Sequence, residues 1–149
     1  MSRNSFFKIF RFFLAINVFL YRLTGGKFGN RVQGLPVLLL TTLGRKTGKK
    51  RITPLGYIEH DDSYVITATN AGFNTQPAWF HNLKSHPQVE LQIGNKQLTA
   101  IAELANPALR QQLWTNFVER APGYGAYEKR TTREIPIVLL RPVSEELSQ

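Results

Sequence analysis

Three consecutive stretches decide the fold: LPVLLLTTL (Leu35–Leu43), GRKTGKK (Gly44–Lys50) and RITPLGYIEH (Arg51–His60). The first and third have the apolar and β-branched character of strands. The middle one carries Gly44 and Gly48 and reads as a turn. Together they predict a hairpin. Five of the seven residues from Arg45 to Arg51 are cationic. Like charges crowded at a tip repel, so two readings stand: a solvated basic hairpin end, or a cradle for a phosphate or carboxylate tail. The spacing is not that of a P-loop, because three residues rather than four separate the two glycines and no Ser or Thr follows the lysine.

Working outward, further strands are predicted over Ser63–Asn70, Val89–Ile93 with Lys96–Leu104, and Ile135–Arg141. Asp61-Asp62 and Gly94-Asn95 supply turn chemistry between neighbours. A short helix follows Pro77 and ends near Pro87. A longer one begins at Asn106, an N-cap candidate with Pro107 at its first position, and runs to Arg120. Antiparallel strands with helices packed at the ends predict a small α+β barrel.

The N-terminal segment is of a different kind. From Ser5 to Leu23 it reads as a helix, with Lys8, Arg11, Ala15 and Arg22 on one narrow stripe and large apolar residues around the rest. Gly25 and Gly26 end it. Three readings stand: packing against the domain or a second subunit, lying in a lipid interface with the cations near phosphates, or a loosely ordered leader. The ten uncharged residues from Phe12 to Tyr21 are too few to span a bilayer, and no small-residue cleavage site follows. The division expected is a helix over 1–26 and a barrel domain over 27–149.

The chain has 149 residues and a net charge of +9, and no acidic residue precedes Glu59. Such a field attracts anions. The cations concentrate in one turn and one apolar helix, not along a groove with stacked aromatics, which argues against nucleic acid. With no cysteine, disulfides, thiolate metal sites and a cysteine nucleophile are excluded, as suits a reducing compartment. His81 and His86 lie five apart, off the helical metal-pair spacing, and no metal site is expected.

Three other segments have residue types suited to chemistry. Thr67, Ala68, Thr69 and Asn70 close a strand in small residues that either admit a ligand to the backbone or simply form a turn. Trp79 and Phe80 either wall a planar ring or belong to the core. Tyr124 and Tyr127, in a Gly-bearing segment outside the regular helix, either hydrogen-bond a substrate or pack a junction.

Four blocks in order, LLLTTLGRKTGKKRITPL, TATNAG, PAWFHNLKSHPQVELQIG and PGYGAYEKRTTREIPIVLL, resemble the deazaflavin-dependent nitroreductases, which use coenzyme F-420. The resemblance covers about Tyr21 to Val143. It implies a split β-barrel of the flavin-mononucleotide-binding kind and an oxidoreductase that transfers a hydride to a quinone, nitro or enone acceptor. It implies that Arg45, Lys46, Thr47 and Arg51 meet the anionic tail and phosphate, that Ile52, Thr53 and Pro54 line the ring and ribityl part, and that Thr67 to Asn70 offer backbone contacts. Ala78, Trp79, Phe80, His81 and Asn82 would close another side, Tyr127 would contact ring or substrate, and Tyr124 would sit at the substrate mouth. Asn70 stands where some relatives carry Lys. Flavin mononucleotide is the substitute cofactor in a host without the deazaflavin. Similar proteins can associate with membranes, so the resemblance implies a cytoplasmic protein, with a peripheral place on the inner face of the cell membrane as the further expectation. A non-catalytic flavin-like or lipid-binding protein, and a homodimer, are the alternatives carried forward.

Overall fold

The computed structural model describes residues 3–143, apart from the side chains of residues 3, 4, 6, 7, 10, 11 and 14. Residues 1–2 and 144–149, the outer ends of the two segments expected from sequence, and the Arg11 side chain of the cationic stripe lie outside the described residues. The elements are α1 (Arg3–Thr24), β1 (Arg31–Val32), β2 (Leu35–Leu43), β3 (Lys50–Gly56), β4 (Ile58–His60), β5 (Ser63–Thr67), a 3-10 turn (Asn70–Gly72), α2 (Ala78–Ser85), β6 (Gln88–Ile93), β7 (Lys96–Leu104), α3 (Pro107–Arg120), α4 (Gly123–Arg130) and β8 (Ile137–Pro142).

All strand pairings are antiparallel, in the order β1-β2-β6-β7-β8-β5-β4, with β3 on the other edge of β2. The chain passes from β3 to β4 through Tyr57 alone, so the two ends of the sheet are joined covalently and the sheet curls into a split barrel. The stretch Arg51–His60, expected as one strand, therefore divides where it changes partner from β2 to β5. Gly56 sits at this division because a Cβ there would lie 2.9 Å from Val32 Cγ1 and 3.0 Å from the Tyr124 hydroxyl.

The barrel interior is filled by Leu38, Leu40, Ile66, Leu91, Val138 and Leu140, and Trp79, Phe80 and Leu83 of α2 pack into the same core. Outside, α3 and α4 cover Val65, Ile137 and Leu139 with Leu113, Phe117 and Tyr124. Asn106 caps α3 as its position predicts, its Oδ1 accepting from Leu109 N at 2.9 Å.

The segment holding Tyr124 and Tyr127 corrects the reading from sequence: it is the helix α4, not irregular chain. Gly123 and Gly125 lower its intrinsic propensity. Packing supplies what propensity lacks, with the Tyr124 ring stacked 5.4 Å from Phe117. The expected strand Ser63–Asn70 stops at Thr67, because Asn70 and Ala71 turn to φ 47° and 54°.

Among the described residues, helix α1 packs on the barrel through its C-terminal half. Val18 and Tyr21 pack with Val37, Leu39 and Ile52. The Tyr21 hydroxyl donates to Val37 O at 2.9 Å and accepts from Gly94 N at 2.8 Å. The opposite face stays in solvent, with Phe12, Phe19 and Leu23 exposed at 64%, 62% and 70%.

Candidate functional site

The cationic tip is a built turn. Gly44 N donates to Lys49 O at 2.8 Å, Gly48 N donates to Gly44 O at 2.7 Å, and the Thr47 hydroxyl accepts from Lys49 N at 3.2 Å. Gly48 holds φ 70°, which favours glycine. The turn is pinned to α2 by one side chain. Asn82, 5% exposed, accepts from Arg45 N at 3.0 Å through Oδ1 and donates to Thr42 Oγ1 at 3.2 Å through Nδ2.

This bracing leaves a groove of about 930 Å³ between α1, the hairpin and α2. One part of its wall is Arg45, Lys46, Thr47, Lys50 and Arg51; another is Ala15, Val18, Ile52, Pro54, Ala78 and Trp79. Lys50 pairs with Glu90 at 3.3 Å. Among the described residues no carboxylate pairs with Arg45, Lys46 or Arg51. Burial, followed by the nearby Arg45 and Lys84 charges, lowers the His81 imidazole from its ordinary value and so disfavours its cation.

Ten of the residues singled out from sequence meet here: Arg45, Lys46, Thr47, Arg51, Ile52, Thr53, Pro54, Ala78, Trp79 and Asn82. Others lie elsewhere. Phe80 is a core residue beneath Lys84, and His81 stands beside it on α2 outside the groove lining. Thr67 and Ala68 are buried, and the backbone of this stretch is engaged: Ala68 N donates to Pro136 O at 3.0 Å, and the carbonyls of Ala68 and Thr69 accept from Arg133 at 3.0 and 2.9 Å. Asn70 donates to Thr75 O at 2.9 Å.

The tyrosines form a second cluster beyond the far end of β3. Tyr124 is 6% exposed, and burial, with a smaller contribution from Tyr127, pushes its phenol up to about 12. It is packed in the helix layer, not opened to solvent. Tyr127 is half-buried, and its hydroxyl accepts from Gln33 Nε2 at 2.6 Å, which leaves the phenolic proton available to another acceptor.

Sequence reasoning did not find Val18, Gln33 or Arg133, and it counted Lys50 in the cationic cluster without naming it as a site residue. Val18 carried a weak signal, three residues from Ala15 on the helix that borders the groove. Gln33 and Arg133 act through partners distant in sequence, and no local pattern marks them.

The profile of the family described as F-420H(2)-dependent quinone reductase matches residues 14–142. A relative from Mycobacterium tuberculosis (strain H37Rv), an F-420H(2)-dependent quinone reductase, is 40% identical over 125 residues, covering 81% of this chain and 84% of that protein. The solved structure of an F-420-H2 dependent reductase is 36% identical with a TM-score of 0.65, covering 71% of this chain and 94% of its own. Another, solved as a domain-swapped dimer, is 30% identical with a TM-score of 0.67, covering 94% of this chain and all of its own.

Proposed function

The chain belongs to the F-420H(2)-dependent quinone reductase family, and we propose that it seats the reduced deazaflavin in the groove between β3 and α2 and reduces a quinone there. One observation supports the seat above others: the groove divides into a cationic part, in which Arg45, Lys46 and Arg51 have no carboxylate partner among the described residues, and an apolar part containing an indole. A cofactor with a planar ring and a polyanionic tail matches both. When bound, the coenzyme supplies the hydride.

The chain's own residues do the rest. Arg45, Lys46 and Arg51 hold the phosphate and carboxylates, each charge-assisted contact contributing about 1.5–3 kcal/mol. Ile52, Pro54 and Trp79 flank the ring and exclude water. Asn82 fixes the turn that carries Arg45. Tyr127, already accepting from Gln33, donates its phenolic proton toward the acceptor oxygen and stabilises negative charge as it develops there. The hydride and this one proton together make the quinol, and water reprotonates the phenol. Nitro and enone acceptors, which also gather charge on oxygen, are the second substrate class. Tyr124, neutral across the working range, packs behind Tyr127 at 5.6 Å. Mixing the protein with reduced coenzyme and menadione should regenerate the oxidised coenzyme. Tight binding without turnover across quinone, nitro and enone acceptors would favour a non-catalytic binder instead.

The exposed α1 face fits a lipid surface. No helix of the described residues is long and apolar enough to cross a membrane, but Phe12, Phe19 and Leu23 lie on one side with Lys8 and Arg22 at its border. A helix so patterned settles at the headgroup boundary, where a lipid-soluble quinone is also found. The chain then works in the cytoplasm, peripheral on the inner face of the membrane. Co-sedimentation with anionic but not zwitterionic vesicles, lost in a Phe12→Ser, Phe19→Ser variant, is the expected outcome. The relative solved as a domain-swapped dimer supports a homodimer, which light scattering checks.

A further inference from the structure

We infer that Arg133 is a positioning residue for the reductase reaction, setting the α2 wall of the groove against the helix that carries Tyr127. The inference rests on the reductase reading above. Four of its five N–H donors converge on the loop between β5 and α2: Nε on Phe73 O at 3.0 Å, Nη1 on Gln76 Oε1 at 2.9 Å, and Nη2 on Ala68 O and Thr69 O at 3.0 and 2.9 Å. Among the described residues no carboxylate pairs with it. A guanidinium in this arrangement is a strut, its rigid fork matched to acceptors that a lysine's single ammonium cannot span together.

What it holds is strained. Asn70, Ala71 and Gly72 are three consecutive residues at positive φ, 47°, 54° and 81°, and two of them are not glycine. Such conformations persist where the surroundings over-determine them, and they collect at ligand clamps. The surroundings here are α4 and its exit. A Cβ on Gly72 would lie 2.9 Å from Arg130 Cβ and 3.2 Å from Tyr127 O. Asn74 Oδ1 accepts from Thr131 Oγ1 at 2.9 Å and Thr132 N at 3.0 Å. One end of the braced loop abuts the turn of α4 that bears Tyr127. The other, at Gln76, precedes α2, whose Trp79 and Asn82 line the groove. The coenzyme contacts lie on one side of this brace and the tyrosine on the other, so loosening it misaligns two halves of a site without removing either.

The test is Arg133→Lys and Arg133→Ala, with coenzyme affinity measured by fluorescence titration and kcat by menadione-coupled oxidation of the reduced coenzyme. A displacement of about 1 Å between reacting groups lowers rate up to about 100-fold. We expect kcat to fall about 10- to 100-fold with coenzyme affinity little changed, and millimolar guanidinium to restore part of the Arg133→Ala rate. Unchanged kcat in folded Arg133→Lys, or kcat and affinity falling together with the folded fraction, overturns the inference. If both variants fail to fold, Asn74→Ala, which releases the parallel tie, decides by the same split. A wild-type protein inert toward every acceptor removes the reaction itself, and is told apart because no variant is needed to see it.

Discussion

Replacing Asn82 by Ala and by Asp separates the two jobs its position performs, because only one of them involves charge. In Asn82→Ala the Arg45 N–H and the Thr42 hydroxyl, 2% exposed, lose their partners. Orphaning a buried polar group costs about 1–3 kcal/mol, and the more exposed Arg45 amide, which can turn to water, about 1. The sum is about 2–4 kcal/mol. For a chain of this size that lowers Tm by roughly 4–16 °C. In Asn82→Asp the remaining oxygen still accepts from Arg45 N and the Thr42 hydroxyl can rotate to donate, so neither partner is orphaned; the loss of Tm then comes from desolvating the new carboxylate and not from broken hydrogen bonds. A carboxylate now stands beside Arg45, occupying a cation and repelling the incoming anion. Taking a separation of about 8 Å, one Debye length at physiological salt, and an effective dielectric between that of a protein surface and water, one such charge pair is worth roughly 0.5–2 kcal/mol, about a 2- to 30-fold loss of coenzyme affinity. Differential scanning fluorimetry reads the first effect, and fluorescence titration at low and high salt reads the second. Asn82→Asp binding the coenzyme as the wild type does would show that the anion does not sit at this turn. An undiminished Tm in Asn82→Ala would show that the bridge contributes nothing.

Arg45→Ala with Lys46→Ala should weaken coenzyme binding by about 1.5–3 kcal/mol for each cation removed and flatten its salt dependence; both side chains are exposed and without carboxylate partners, so Tm should hold within about 1 °C. Tyr127→Phe should lower kcat far more than coenzyme affinity, and Gln33→Leu, which removes the donor 2.6 Å from that hydroxyl, should shift the same way by less; steady-state kinetics beside titration distinguishes this from a binding role. For Tyr124 the folded phenol, at about 12, loses its proton at higher pH than the unfolded one at 10.0. Stability is therefore unaffected below pH 10 and falls as pH rises from 10 toward 12, by at most about 2–3 kcal/mol; denaturant melts of Tyr124→Phe should lack this alkaline loss.

The parts of the fold legible in the chain were those set by local chemistry. The hairpin strand Leu35–Leu43 and the strand Lys96–Leu104 keep their sequence-derived limits, and Asn106-Pro107 starts α3 where capping requires. The cationic turn and the residues after it on β3 announced the groove because charge density and strand alternation are local properties. The rest depended on contacts between distant residues. Gly123 and Gly125 hide α4 from any propensity argument, and only Phe117 stacking on Tyr124 reveals why it is helical. The division of Arg51–His60 at Tyr57 follows from barrel closure, which no single segment encodes. Asn82 was named through the resemblance, and it lines the groove. Its bracing of Arg45 and Thr42 was not legible, because its partners lie 37 and 40 residues away.

The charge at the hairpin tip is best understood through what the fold does and does not neutralise. Lys50 on β3 is matched by Glu90 on β6, across β2, at a separation and exposure where such a pair contributes at most about 1 kcal/mol. Glu90 is the carboxylate the fold brings to the tip, and it is spent on the one lysine that begins β3. Among the described residues Arg45, Lys46 and Arg51 stay unmatched, in the groove that Ile52, Pro54 and Trp79 also line. Had the tip served only solubility, its cations would have pointed anywhere into water, and no buried Asn82 would be needed to fix the backbone beneath Arg45. A turn stiffened by a buried carboxamide and left electrically unsatisfied is preorganised for an anion, since the cost of gathering the charges is met during folding and not at binding.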